Sequence, residues 1–209
     1  MKMNNLLAGL GRFAVEALRA IRNHQYEFTE SGIYLPRPKV VIGGTMAHRV
    51  RRAGGEFGPW QLDTNRVVTE GLTYIVASSL AGGAQITTFY LAPFQANVDV
   101  PANWTGANFA QQAQEFTGYT NSTRLPWKTT MPTTPEVGNG ANLTDSTMEV
   151  SGTAGPYSIT GAAVLSASAK SANTGKLIAA AKFSTIRSLE TGDELSLRYT
   201  FTAKDEGDA

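Results

Sequence analysis

The chain has 209 residues, a net charge of +1, 42% apolar residues and 17% charged residues. This length is enough for one sandwich-sized domain with an appendage, or for two small domains. The absence of cysteine excludes disulfide bonds, thiolate catalysis and cysteine-ligated zinc. The 21 glycines, the 9 prolines and the low charged fraction favour a loop-rich β protein that is embedded in an assembly.

The small net charge hides a difference between the two parts of the chain. Residues 1–52 hold nine Lys or Arg and three acidic residues, a net charge of +6 that leaves −5 for the remainder. We therefore divide the chain into a basic N-terminal arm, residues 1–55, and a body, residues 56–209. The arm is expected to dock on a partner while the body folds on its own.

An amphipathic helix is predicted at the start of the arm, from about Asn4 to Asn23. Apolar side chains recur there every three or four residues, and basic and acidic side chains occupy the other face. The apolar stripe consists of Leu6, Leu10, Phe13, Ala17 and Ile21. Such a helix can lie on a membrane, bind nucleic acid or pack on protein. We expect packing, because Gly9 and Gly11 weaken an isolated helix by about 1 kcal/mol each.

The second half of the arm is predicted to be extended. Two prolines enforce this conformation around Arg37, and a short strand is expected at residues 40–42, ended by two glycines. An exposed basic loop is expected to follow, with the side chains of Arg49, Arg51 and Arg52. This loop could bind phosphate, but a subunit contact or simple solvation is the preferred interpretation.

The middle of the chain alternates between short helices and strands. A helix is predicted over residues 72–80, with Thr69 as its N-cap and with an apolar face of Leu72, Ile75, Val76 and Leu80. The other expected elements are a strand at 85–94, a helix at 105–114, a surface connection at 121–140 and a strand at 146–150.

The C-terminal part predicts a three-stranded antiparallel meander. From Glu194 to Ala203 apolar and polar residues alternate with the period of two that is typical of a half-buried strand. Two runs of small and β-branched residues, 159–168 and 176–184, supply its partners. The inward positions of the last strand are Leu195, Leu197, Tyr199 and Phe201.

This meander determines the expected fold class. Its apolar face needs a second sheet to cover it, so the body is predicted to be a mainly antiparallel β-sandwich or jelly-roll-like domain with one or two short helices. The sheet surface is rich in Ser, Ala and Thr and carries no ionisable cluster. We interpret it as a surface for packing or display.

Several motifs in order resemble a widespread group of small virion-associated proteins of tailed bacteriophages. The resemblance covers about residues 65–203, and its motifs are 65–75 (NRVVTEGLTYI), 83–94 (GAQITTFYLAPF), 116–119 (FTGY), 123–127 (TRLPW), 161–170 (GAAVLSASAK) and 174–183 (TGKLIAAAKF). It implies a place in the particle and no chemistry. The arm resembles an addition that attaches the body to the head–tail junction of a short-tailed phage.

The sequence contains none of the common catalytic or metal-binding patterns. Its two histidines, His24 and His48, are too far apart for the usual metal spacings, and there is no phosphate-binding loop and no nucleophile elbow. The neighbouring carboxylates Asp193 and Glu194 are assigned to a solvated turn rather than to a glycosidase pair. We therefore expect no enzyme, no cofactor and no metal.

The expected function is that of a non-enzymatic structural component of a tailed-phage virion. A head–tail junction protein or fibre-like tail appendage is preferred, a capsid cement or decoration protein is the alternative, and a host-glycan-binding module using Trp60, Trp104 or Trp127 ranks third. The expected partners are portal, adaptor, tail or major capsid proteins, and other copies of the chain in a homo-oligomer such as a trimer. No export or membrane segment is recognised, and neither membrane nor direct nucleic-acid binding is expected. The predicted location is the virion, assembled in the bacterial cytoplasm.

Overall fold

A computed structural model describes residues 27–29, 32–34 and 40–205, and the chain divides into two compact units. The first unit contains an antiparallel hairpin of β1 (Glu27–Thr29) and β2 (Gly32–Tyr34). The second unit, Ile42–Ala203, is the body. The predicted arm helix lies outside the described residues.

The body consists mainly of strands, with two helices and a 3-10 turn at Leu143–Ser146. Its elements in chain order are β3 (Val40–Arg51), β4 (Gln61–Thr64), β5 (Arg66–Val67), α1 (Thr69–Leu80), β6 (Phe89–Phe94), α2 (Phe109–Gln112), β7 (Leu125–Trp127), β8 (Glu136–Gly138), β9 (Thr147–Glu149), β10 (Tyr157–Leu165), β11 (Leu177–Leu189) and β12 (Glu194–Asp205).

These strands form two five-stranded sheets. Sheet I has the order β5-β11-β10-β6-β7, and sheet II has the order β4-β3-β12-β8 with β9 also paired to β12. The pairs β10–β11, β6–β10, β3–β4 and β8–β12 are all antiparallel. The predicted fold class, a mainly antiparallel β-sandwich with short helices, is confirmed.

The main core lies between the two sheets. Leu91 of sheet I and Met46, Leu195, Leu197 and Tyr199 of sheet II are all buried in one apolar cluster. A second cluster covers the other face of sheet I and includes Phe94, Trp104, Phe109 and Leu165. Sheet I is therefore buried on both faces, which explains why β10 is almost continuously apolar.

Small residues let the strands of sheet I pack closely against their surroundings. A side chain at Gly161 would place its Cβ 2.1 Å from the Phe94 ring and 2.3 Å from the carbonyl oxygen of Ala181. A side chain at Gly71 in α1 would meet the carbonyl oxygen of Ile178 at 2.2 Å. The Ala- and Gly-rich segments therefore serve packing, as their composition indicated.

The predicted three-stranded meander is wrong in one respect. β10 and β11 pair as expected, but β12 belongs to the other sheet. The turn after β11, with Gly192 at φ +85°, leads the chain from sheet I to sheet II. A period of two shows that one face of a strand is buried, but it does not show which sheet the strand joins.

Several element boundaries also differ from the expectations. β3 continues through both glycines at 43 and 44 to Arg51, whereas a strand of three residues was predicted. α1 extends over Thr69–Leu80, and its expected N-cap residue Thr69 lies inside the helix. Three residues of its predicted apolar face, Leu72, Val76 and Leu80, are exposed, because the side of the helix with Gly71 packs on sheet I. The fourth, Ile75, is half-buried.

The remaining differences concern short elements. The predicted strand 85–94 begins only at Phe89, and the predicted helix 105–114 is reduced to α2. The expected surface connection 121–140 contains β7 and β8, each three residues long. Both are edge strands, and three residues are too few for a hydrophobic period to be recognised in the sequence.

Candidate interaction face

The basic residues predicted in an exposed loop lie instead at the end of an inner strand of sheet II. Arg49 and Arg51 are part of β3, and Arg52 follows directly after it. The body therefore begins at Ile42, and the segment 42–55 that the sequence assigned to the arm belongs to it. The other predicted binding residues, Leu6, Leu10, Phe13, Ala17, Ile21 and Arg37, lie outside the described part of the chain.

Two of these arginines pair with carboxylates at the start of β12. Arg51 forms an ion pair with Glu194, and Arg52 forms one with Asp193. Arg52 also donates a hydrogen bond to the carbonyl oxygen of Ser188 at 2.9 Å. Their positive charges are therefore largely compensated within the body, and they fix the end of β3 to the β11–β12 turn.

Asp193 is buried rather than solvated, contrary to its assignment to an open turn. Its side chain is 5% exposed, and it accepts hydrogen bonds from the backbone N–H of Glu190 at 2.9 Å and of Ala53 at 3.1 Å. Burial alone would raise its pKa, but these bonds and the Arg52 guanidinium hold the pKa of Asp193 below its usual value. The Asp193 carboxylate is therefore a structural anchor.

Arg49 is held between two aromatic rings. Its guanidinium carbon lies 4.4 Å from the ring centre of Phe57 and 4.5 Å from that of Trp60. The same carbon of Arg51 lies 4.9 Å from the Phe57 ring, and that of Arg198 lies 4.8 Å from the Trp60 ring. We call these five side chains the Arg–aromatic ladder. Each contact is within the range of cation–π attraction.

The ladder lies on the outer face of sheet II. Arg49 alternates along β3 with His48 and Val50, which point into the core, and Arg198 alternates along β12 with Leu197 and Tyr199. All five ladder side chains are half-exposed. The rings hold the guanidinium groups in place at the surface, so little conformational entropy remains to be lost when a partner binds.

Arg49 and Arg198 differ from the other two arginines in their electrostatics. Among the ion pairs of the described residues, neither of them has a carboxylate partner. The Nε of Arg49 is buried and has no hydrogen-bond partner there. The ladder thus presents two positive charges at the surface, and donation to an incoming acceptor falls to the terminal guanidinium N–H groups, because the buried Arg49 Nε is out of reach.

Part of this face is visible in the sequence, where the charge run marks Arg49 and Arg51 and the alternation in β12 places Arg198 on the solvent side. No sequence pattern marks Phe57 or connects Trp60 to the arginines, because these contacts join β3 to the segment before β4 and to a strand far along the chain. The other two tryptophans pack internally, Trp104 in the second core cluster and Trp127 against the main core.

A buried histidine cluster, centred on the residue before Arg49, bridges the two sheets. His48 is fully buried, its Nδ1 lies 3.2 Å from Asp63 Oδ2, and its ring stacks on Phe183 at 3.8 Å. Its Nε2 accepts a hydrogen bond from Arg187 Nε at 2.8 Å. Burial, and then the charge of Arg187, lower the pKa of His48 to about 4. This nitrogen is occupied by a guanidinium, so it has no free lone pair with which to activate a hydroxyl nucleophile.

In the described ranges, no group of three or more His, Asp or Glu side chains is arranged to hold a metal ion. No helix in the part that the structure describes has the length and apolar character to cross a membrane. Comparison with family models, with curated proteins and with solved structures gave no match. The interpretation of the Arg–aromatic ladder therefore depends on its own geometry.

Proposed function

We propose that the protein is a non-enzymatic structural component of a tailed-phage virion, and that it docks on its partner through the Arg–aromatic ladder. The observation that carries this proposal is the surface placement of Trp60 between Arg49 and Arg198. Tryptophan and arginine are the side chains most enriched among the residues that dominate binding energy at protein interfaces. The placement in a virion depends on the resemblance of residues 65–203 to phage particle proteins.

The chemistry of the ladder favours a partner surface with carboxylates. Two guanidinium groups with no carboxylate partner among the described residues, those of Arg49 and Arg198, gain charge-assisted hydrogen bonds from Asp or Glu side chains. The Trp60 ring adds apolar contact area next to these charges. The partner is accordingly an acidic surface of a portal, adaptor, tail or capsid protein, and further copies of this chain complete a symmetric oligomer.

Within the virion, a position at the head–tail junction or on the tail is preferred, with a capsid cement protein as the alternative. Copy number separates the two positions, because a neck or tail protein follows the local symmetry with about six to eighteen copies, whereas a cement protein is present in hundreds. Quantitative densitometry of purified particles measures this number directly. Absence of the protein from the particles would contradict both positions.

A host-glycan-binding module remains the third possibility to separate from these two. A host glycan that stacks on Trp60 would bind to the isolated protein without any other virion protein. Its affinity would change little with salt concentration. Docking on an acidic protein surface weakens with salt, because exposed charge contacts are screened over about 10 Å at 0.1 M ionic strength. Binding of the purified chain to host-cell polysaccharide that persists in 0.5 M salt would replace the docking proposal.

A further inference from the structure

A cavity of about 160 Å³ lies between the two sheets, and none of its lining residues belongs to the Arg–aromatic ladder. Its wall includes the edge residues Trp127 of β7 and Val137 of β8, and Phe201 of β12. Phe201 continues the inward row of Leu195, Leu197 and Tyr199, yet it is half-exposed whereas those three are fully buried. The sandwich core is therefore open at this point.

The lining side chains are all apolar or aromatic. The hydroxyl oxygens of two of the aromatic rings, Tyr74 and Tyr199, accept hydrogen bonds from outside the cavity lining, from Ile86 N–H at 2.8 Å and from Asn65 Nδ2 at 2.8 Å. Trp127 Nε1 donates to the carbonyl oxygen of Tyr199 at 3.0 Å. A charged or strongly hydrogen-bonding ligand would lose its hydration without compensation.

Aromatic rings line the space, in two edge-to-face contacts and one tilted contact. Tyr74 and Phe89 have centres 6.1 Å apart at 68°, Phe89 and Trp127 are 6.1 Å apart at 71°, and Trp127 and Tyr199 are 5.5 Å apart at 54°. Such rings leave edges and faces to which a further ring can pack. An apolar cavity of about 150 Å³ in a protein stays dry and binds molecules the size of benzene.

We propose that this cavity is a binding site for one uncharged apolar group, an aromatic ring or a branched aliphatic chain up to about the size of indole. The proposal is independent of the function proposed above. The group can belong to a free small molecule or to a side chain of a polypeptide, and both sources present the same chemistry to the cavity.

Titration of the full chain with indole and with toluene tests the site. At a free probe concentration of about ten times the dissociation constant, the melting temperature rises by about 3 °C or more. Imidazole, which is similar in size to the indole pyrrole ring but polar, gives no shift. Absence of a shift with both apolar probes would overturn the proposal.

Two variants that fill the cavity, and one control variant outside it, test whether the probe binds at this site. Val137→Phe adds a ring at the half-exposed rim, and Ile75→Phe adds one from α1, so either variant abolishes the indole shift. Leu62→Phe adds a ring at an exposed position on β4 outside the cavity, and it keeps the shift. An indole shift that survives in both filled variants would place the probe elsewhere and refute the site.

Two further measurements separate the possible sources of the group. Solvent extraction and mass spectrometry of chain purified from its natural source yield a stoichiometric apolar compound if the ligand is a free molecule. If the source is a polypeptide, the extract is empty, and a peptide with one central Phe between threonines displaces indole at least tenfold more effectively than its Phe→Ser counterpart. Probe binding without either result would also refute a biological role for the cavity.

Discussion

The guanidinium of Arg124 and the carboxylate of Glu115 form a buried two-pronged ion pair, with Nη2–Oε2 at 2.6 Å and Nε–Oε1 at 2.8 Å. The two side chains are 0% and 1% exposed. Arg124 also donates to the carbonyl oxygens of Ala167 at 3.0 Å and Ala172 at 3.3 Å. This pair and its two carbonyl contacts join three loops: the segment after α2, the segment before β7 and the β10–β11 connection.

Removal of one partner of this pair should be strongly destabilising. We expect Arg124→Met to lower the free energy of unfolding by about 3–5 kcal/mol, since it leaves the Glu115 carboxylate buried without a counter-charge. The double variant Arg124→Met/Glu115→Leu should recover much of the loss, because it removes both charges. Urea denaturation measures both values. A loss below about 0.5 kcal/mol in the single variant would show that the pair is not buried in solution.

His48 should make stability depend on pH. Its folded-state pKa of about 4 lies below its ordinary value of 6.5, so the unfolded chain binds more protons between these values. The contribution is fully present above about pH 6.5 and is lost as pH falls towards 4, by up to about 3 kcal/mol.

His48→Gln provides the comparison, because an amide stays neutral throughout this range. Urea denaturation at pH 7, 5.5 and 4.5 should show a steeper loss of stability for the natural chain than for the variant. The Asp193 contribution is common to both proteins, and because its pKa is depressed it is lost only at lower pH. Equal slopes in the two proteins would mean that His48 is not held neutral between the sheets.

The alternation along β12 predicts which substitutions the strand tolerates. Leu197→Asp places a charge in the main core and should prevent folding, whereas Thr200→Asp lies on the outer face and should cost less than about 1 kcal/mol. Circular dichroism and thermal unfolding measure both. Similar losses in the two variants would contradict the observed register.

Truncation should distinguish the two possible boundaries of the body. Deletion of residues 1–39 leaves every strand of both sheets and should give a folded protein with an unchanged β-type circular dichroism spectrum. Deletion of residues 1–55 removes β3, which lies between β4 and β12, and should abolish folding. A folded product of the longer deletion would support the boundary at residue 55 that the charge distribution predicted.

The sequence predicted the fold class because strong local patterns dominate the body. The period of two in β12 and the small-residue run in β10 are both present in the structure. The assignment of β12 to sheet II was not predictable, since it depends on a crossing at Gly192 rather than on the strand itself. The exposure of the apolar stripe of α1 was not predictable either. The side of the helix that packs on sheet I is marked by a glycine, Gly71, and not by a large apolar residue.

The candidate site was predicted in part for similar reasons. A run of basic residues marks Arg49 and Arg51, but it does not show that Glu194 pairs with Arg51 while Arg49 has no carboxylate partner in the part of the chain that the structure describes. That distinction depends on a contact between β3 and β12, because Arg51 and Glu194 are 143 residues apart in the chain. The predicted apolar stripe of the arm lies outside the described residues and stays a prediction.

The most direct measurement is incorporation of ladder variants into phage particles, quantified by densitometry after purification. If the protein docks through the Arg–aromatic ladder, Arg198→Glu and Trp60→Ser should each reduce incorporation at least tenfold, although the isolated proteins fold normally. Arg66→Glu makes the same charge change at an exposed position of sheet I and should be incorporated as well as the natural chain. Normal incorporation of both ladder variants would contradict docking through this face.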